Sequence, residues 1–177
     1  MRTVRSLSRQ AISSVAAISA LVTLVVPGLV PAFASAASLT SRSIDMTNSA
    51  ADAGSVTYDI NFTPSGSSFQ SLVIDWCSNT PVEGDSCTAP SGFDAKTGVT
   101  LGTGTSTFIG TASLDSSSTA NHTVVTGTSA DTSGTAVTVE LDGVHNPTSA
   151  GTFYARIYTY SGATPDWTDA TTPGTVI

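Results

Sequence analysis

The chain is 177 residues long, with 6 Lys and Arg against 13 Asp and Glu and a formal net charge of −7. Binding nucleic acid or an anionic bilayer needs clustered cations, so this balance argues against both as partners. Only 2 His and 2 Cys are present, which leaves little material for acid–base or metal chemistry.

Arg2, Arg5 and Arg9 stand ahead of an apolar run from Ala11 to Val26, and no acid precedes Asp45. Pro27, Gly28 and Pro31 break that run, and the small residues Ala32, Ala34 and Ala36 follow. A basic start, an apolar middle and an A-x-A site predict a secretory signal peptide over residues 1–36, cut after Ala36 or Ala34. The apolar run falls short of the roughly 20 residues a spanning helix needs, so no membrane attachment is expected after cleavage. Residues 37–177 are then a single domain, secreted or held at the cell surface. It keeps Arg42, Lys96 and Arg156 as its cations against all 13 acids, a net charge of −10.

Within this domain Thr, Ser, Gly and Ala dominate, yet Val, Ile, Thr, Tyr and Phe recur in alternating runs, the mark of strands rather than disorder. Ser38 to Met46 is expected to open the fold, with Ile44 and Met46 inward. Ser55 to Phe62 alternates most clearly: Val56, Tyr58, Ile60 and Phe62 share one face. Ser71 to Cys77 follows, with Leu72, Ile74 and Trp76 on one face and Val73 and Asp75 on the other. These two strands are expected to pair as neighbours. Ala89 to Gly98 reads as a loop with a helical turn near Phe93. Val99 to Leu101, Thr107 to Leu114 and Asn121 to Thr126 are weaker strand signals, separated by turns at Asp115–Ala120 and Asp131–Gly134. The pattern sharpens at Ala136 to Asp142. A corner over Gly143–Gly151 leads to a last strong strand, Phe153 to Tyr160. Residues 161–177 read as a loop-rich C-terminal segment ending in the strand-like Thr175-Val176-Ile177, which could also pair with another subunit by strand addition.

An even cysteine count in an exported chain predicts a disulfide, Cys77–Cys87. The intervening residues are turn formers. The spacing is too wide for a redox C-x-x-C pair, and no nearby His completes a zinc site.

Seven to nine short strands with regular turns indicate an all-β antiparallel sandwich or barrel, and a Trp beside a Cys on a central strand suits a sandwich core. The stretch from Val137 to Thr159, VTVELDGVHNPTSAGTFYARIYT, resembles a corner of secreted bacterial immunoglobulin-like surface and adhesin-type domains. There a strand enters a Gly-hydrophobic-x-Asn-Pro loop and leaves through Gly-Thr-aromatic. The resemblance implies an immunoglobulin-like sandwich. It also implies that Phe153 points inward, followed by Ala155 and Ile157. Tyr154, Arg156, Tyr158 and Tyr160 then face outward together, a candidate binding face of the residue types enriched in interaction hot spots.

No Ser sits in a nucleophile elbow, and His122 and His145 lack the company a triad requires. The carboxylate pair considered for hydrolysis, Asp59 and Asp75, depends on their strands being neighbours. Calcium has only weak candidates: Glu83 and Asp85 with Asn79 in the disulfide loop, and Asp166 and Asp169 flanking Trp167. The sequence therefore predicts a non-catalytic module without a cofactor. Its expected partners are a protein or glycan at the cell surface, or other copies of itself through edge strands.

Overall fold

The structure, a computed structural model of the chain, describes residues 39–65, 68–106, 109–130, 134–164 and 175–176, all within the compact unit Ala36–Ile177. The signal segment expected over residues 1–36 lies outside the described residues, as do 131–133 and most of the C-terminal segment.

The described residues form strands and no helix. The strands are β1 (Leu39–Met46), β2 (Val56–Pro64), β3 (Ser71–Cys77), β4 (Thr100–Leu101), β5 (Ser113–Leu114), β6 (His122–Thr126), β7 (Val137–Val144), β8 (Tyr154–Tyr160) and β9 (Thr175–Val176). They make a 4-stranded sheet, β1-β2-β7-β4, and a 5-stranded sheet, β5-β6-β3-β8-β9. All pairings are antiparallel.

Alternation builds the interior. In β2, Val56, Tyr58, Ile60 and Phe62 are buried while the residues between them are half-exposed. The register sets Ile60 beside Val139 and Tyr58 beside Leu141, so two apolar combs share the inner face of the first sheet. Leu72, Ile74, Trp76, Val125, Ala155 and Ile157 meet them from the second sheet. Each buried Val, Leu, Ile or Phe among them contributes about 1.5–3 kcal/mol relative to exposure.

The expected pairing of β2 with β3 is incorrect: β3 lies between β6 and β8 in the other sheet. The connection between them carries Phe69, 2% exposed, whose ring packs 6.2 Å from that of Phe62. A short link that buries an aromatic crosses the core instead of closing a hairpin. Asp59 and Asp75 consequently stand in different sheets and form no carboxylate pair. The weak strand expected over Thr107–Leu114 contracts to β5, with 107–108 outside the described residues. Near Phe93 there are turns and a bridge between Asp94 and His145 in place of a helical turn. Thr175–Val176 pairs with Arg156 and Ile157 of its own β8.

The first sheet also carries a row of acids across β1, β2 and β7: Asp45 lies opposite Asp59, and Asp59 opposite Glu140. Near the end of β7, Gly143 has φ 92°, and a Cβ there would sit 2.9 Å from the Gly98 carbonyl oxygen.

Candidate functional site

One end of the sandwich is built from aromatic residues. There β1 and β3 end and β2 and β8 begin, which brings Met46, Tyr58, Trp76 and Tyr154 together. Trp76 packs edge-on against Tyr58, with ring centroids 5.6 Å apart, and tilted against Phe93 at 5.2 Å. Tyr58 meets Phe93 edge-on at 6.3 Å. Trp76 Nε1 donates to the Thr123 hydroxyl at 3.0 Å, and the Tyr58 hydroxyl donates to Asn146 Oδ1 at 2.7 Å. Both polar tips are thus satisfied inside the protein, as buried Trp and Tyr require. Burial raises the Tyr58 pKa above its ordinary value.

Over this floor lies a cleft of about 370 Å³, walled by Ile44, Met46, Pro90, Pro147, Phe153 and Tyr154. A smaller recess of about 190 Å³ adjoins it and shares Met46, Tyr58, Pro147, Gly151 and Phe153. None of the described residues lining either recess is charged. A mostly apolar concavity of this size, with a few hydroxyls at its edge, is suited to hold an uncharged group.

The rim departs from the sequence expectation. Met46 lies in register with the inward-facing Tyr58, so its direction is as expected, but it is 44% exposed because the cleft opens beside it. Phe153, expected in the core, is 38% exposed. It precedes the first residue of β8, so strand alternation does not govern it, and its ring lies over Gly151. Ala155 and Ile157 are buried in the core, in agreement with the sequence.

The expected Tyr/Arg face needs a larger correction. Tyr154, Tyr158 and Tyr160 are half-buried, but Arg156 is only 2% exposed. Its Nη1 donates to the Asp85 carbonyl at 2.7 Å and its Nη2 to the Thr80 carbonyl at 2.9 Å. Both acceptors belong to the loop closed by the Cys77–Cys87 disulfide, which forms as predicted with Cα atoms 5.1 Å apart. The side chain does leave the sheet outward, and this loop folds over it.

Beside Arg156 stands an arrangement that strand patterning alone does not assemble. Asp75 is in register with Arg156 on one side and His122 on the other. His122 Nδ1 lies 2.5 Å from Asp75 Oδ1, so a base, an acid and a base line up across β6, β3 and β8. Cross-strand register, which no single strand encodes, brings them together. Burial pushes the Tyr158 hydroxyl above its ordinary pKa, while Arg156 acts on it in the opposite direction.

Of the calcium candidates, Asp85 Oδ2 accepts from the Thr80 hydroxyl at 3.2 Å, Glu83 lies half-buried in the same loop, and Asp166 and Asp169 lie outside the described residues. Among the described residues no three His, Cys, Asp or Glu converge on a metal position. No protein-family model matches the chain, and neither a curated protein nor a solved structure matches it.

Proposed function

We propose that this chain is a secreted or surface-held, non-catalytic β-sandwich module that binds an uncharged apolar group in the aromatic cleft. A protruding aromatic or aliphatic side chain of a cell-surface protein is the kind of group that fits. The observation that carries the reading is the placement of Met46 and Phe153. Both are core-type residues, both stand exposed, and both edge the same cleft. Exposed apolar residues scattered singly need no explanation, whereas a cluster around a concavity marks an interaction site. The lining offers hydroxyls and no acid–base pair, which favours holding a ligand over converting it.

The basic, apolar and small-residue order of the N-terminus and the disulfide both support work outside the reducing cytoplasm. The immunoglobulin-like reading draws support from strand order. β1-β2-β7-β4 and β9-β8-β3-β6 follow the A-B-E-D and G-F-C-C′ sequences of such sandwiches. One departure is that β4 precedes the β5–β6 pair along the chain, so that pair is an insertion at a different point from that in variable-type domains.

Titration with N-phenyl-1-naphthylamine, an uncharged apolar dye, tests the cleft. The expected result is saturable one-site binding accompanied by quenching of Trp76 emission. Phe153→Ala and Met46→Ala should each weaken it several-fold, and the double substitution at least tenfold. Non-saturable binding, or equal binding by the double variant, would overturn the assignment.

A further inference from the structure

The loop between Cys77 and Cys87 is shaped as a cover. Its neck is closed by hydrogen bonds as well as by sulfur: Ser78 N donates to the Thr88 carbonyl at 2.8 Å, and Thr88 N to the Asn79 side-chain Oδ1 at 2.9 Å. Asn79 Nδ2 donates to the Ser86 carbonyl at 2.8 Å, which bends the tip inward. The result is that the carbonyls of Thr80 and Asp85 converge on one guanidinium. That guanidinium belongs to β8, 71 residues beyond Asp85, with Asp75 of β3 in register beside it and the half-buried Tyr154 and Tyr158 two residues away on either side along its own strand. Within the described residues, Arg156 Nε is buried without a hydrogen-bond partner. The loop's two neutral carbonyls take Nη donors and the Tyr158 hydroxyl bonds to the same group, yet Nε is left over, a less complete set than the five-donor fork of an arginine can take.

We infer that this loop is a redox-held lid over an arginine–tyrosine surface. With the Cys77–Cys87 bond intact the lid hides Arg156; with the bond reduced it lifts and presents Arg156 between Tyr154 and Tyr158. The reductant is a dithiol. Cys77 is fully buried and Cys87 is half-buried, so the attacking thiolate reaches the Cys87 sulfur. A mixed disulfide forms there and Cys77 leaves as a thiolate, which takes up a proton. The second thiol of the reductant then displaces Cys87, and the reductant departs as its own disulfide. Two electrons and two protons have passed to the protein. The same steps in reverse close the lid when the newly exported chain is oxidised.

The lid is independent of the aromatic cleft, and its test reads a different residue. The full chain is treated with phenylglyoxal, which modifies accessible guanidinium groups, before and after dithiothreitol, and the Arg156 and Arg42 peptides are compared by mass spectrometry. Arg42, on the exposed part of β1, is the internal reference. On reduction, Arg156 labelling should rise at least tenfold relative to Arg42 while the far-ultraviolet β signal is kept. A chain carrying Cys77→Ser and Cys87→Ser should show the same labelling without reductant. Unchanged Arg156 labelling in the reduced chain would overturn the inference. So would loss of the β signal in both the reduced chain and the double variant, because the bond would then be a staple of the whole sandwich.

Discussion

The Tyr58 hydroxyl donates to Asn146 Oδ1 at 2.7 Å, joining β2 to the corner after β7 across 88 residues of chain. Asn146 is 3% exposed and spends its amide nitrogen on the carbonyls of Asn48 and Ala50, at 3.0 and 2.8 Å. One side chain thus anchors the β1–β2 connection to the opposite corner. Asn146→Ala removes all three bonds and leaves the buried Tyr58 hydroxyl unpaired, while the Asn48 and Ala50 carbonyls, on exposed residues, turn to water; a loss of about 2–3 kcal/mol of stability is expected. Tyr58→Phe orphans a single acceptor and should cost about 1–2 kcal/mol. Urea denaturation of the two variants checks both the order and the gap between them.

Gly143 has a left-handed backbone and faces the Gly98 carbonyl. Gly143→Ala adds a strained φ to a steric conflict with backbone atoms that cannot step aside. A loss of about 1–3 kcal/mol is expected, measured as a lowered midpoint of thermal unfolding. Gly84→Ala is the control: its φ is 85° but a Cβ meets nothing within 4 Å, so only the conformational part of the cost remains.

Two apolar positions on the same segment should behave in opposite ways. Ile157 is wholly buried, so Ile157→Ala should cost about 2–5 kcal/mol. Phe153→Ala, at the rim of the cleft, should cost well under that, about 1 kcal/mol or less. A large penalty at Phe153, read by chemical denaturation, would move this side chain back into the core and remove the main support for a ligand site.

Acid should destabilise the fold in a defined window. Burial pulls Asp94 upward, but hydrogen bonds from the Thr97 side chain and from the Thr97 and Lys96 amides outweigh it and hold its pKa below the ordinary 3.8. Hydrogen bonds from the Ser117 hydroxyl and amide lower Asp115 in the same way. A carboxylate with a depressed folded pKa stabilises the native state above its unfolded value. That stabilisation is lost as the pH falls through the folded pKa. Stability should therefore hold as the pH is lowered to about 4 and decline below it. Asp94→Asn and Asp115→Asn together should flatten that decline in pH-dependent denaturation curves.

Much of the architecture is legible in the residues themselves. β2, β3, β7 and β8 follow from period-two alternation, and the disulfide from an even cysteine count in a chain with an export-type N-terminus. Which strands pair is not legible, because alternation fixes a face and not a neighbour; β3 crosses to the second sheet on the strength of Phe69. Burial from outside a strand is equally hidden. Val73 and Arg156 alternate outward, yet both are covered, Arg156 by a loop 71 residues upstream of it. The cleft escaped for the converse reason. Met46 and Phe153 have the composition of core residues, and only the three-dimensional ending of β1 and beginning of β8 leaves them open.

Asp45, Asp59 and Glu140 occupy neighbouring register positions on three strands, which should make the sheet respond to dissolved ions. Like charges facing one another across strands work against the sheet by about 0.5 kcal/mol per contact, and dissolved ions mute that repulsion. Raising sodium chloride from millimolar to molar levels should therefore lift the melting temperature. Glu140→Gln should blunt the response, leaving the molecule less dependent on the saltiness of its surroundings.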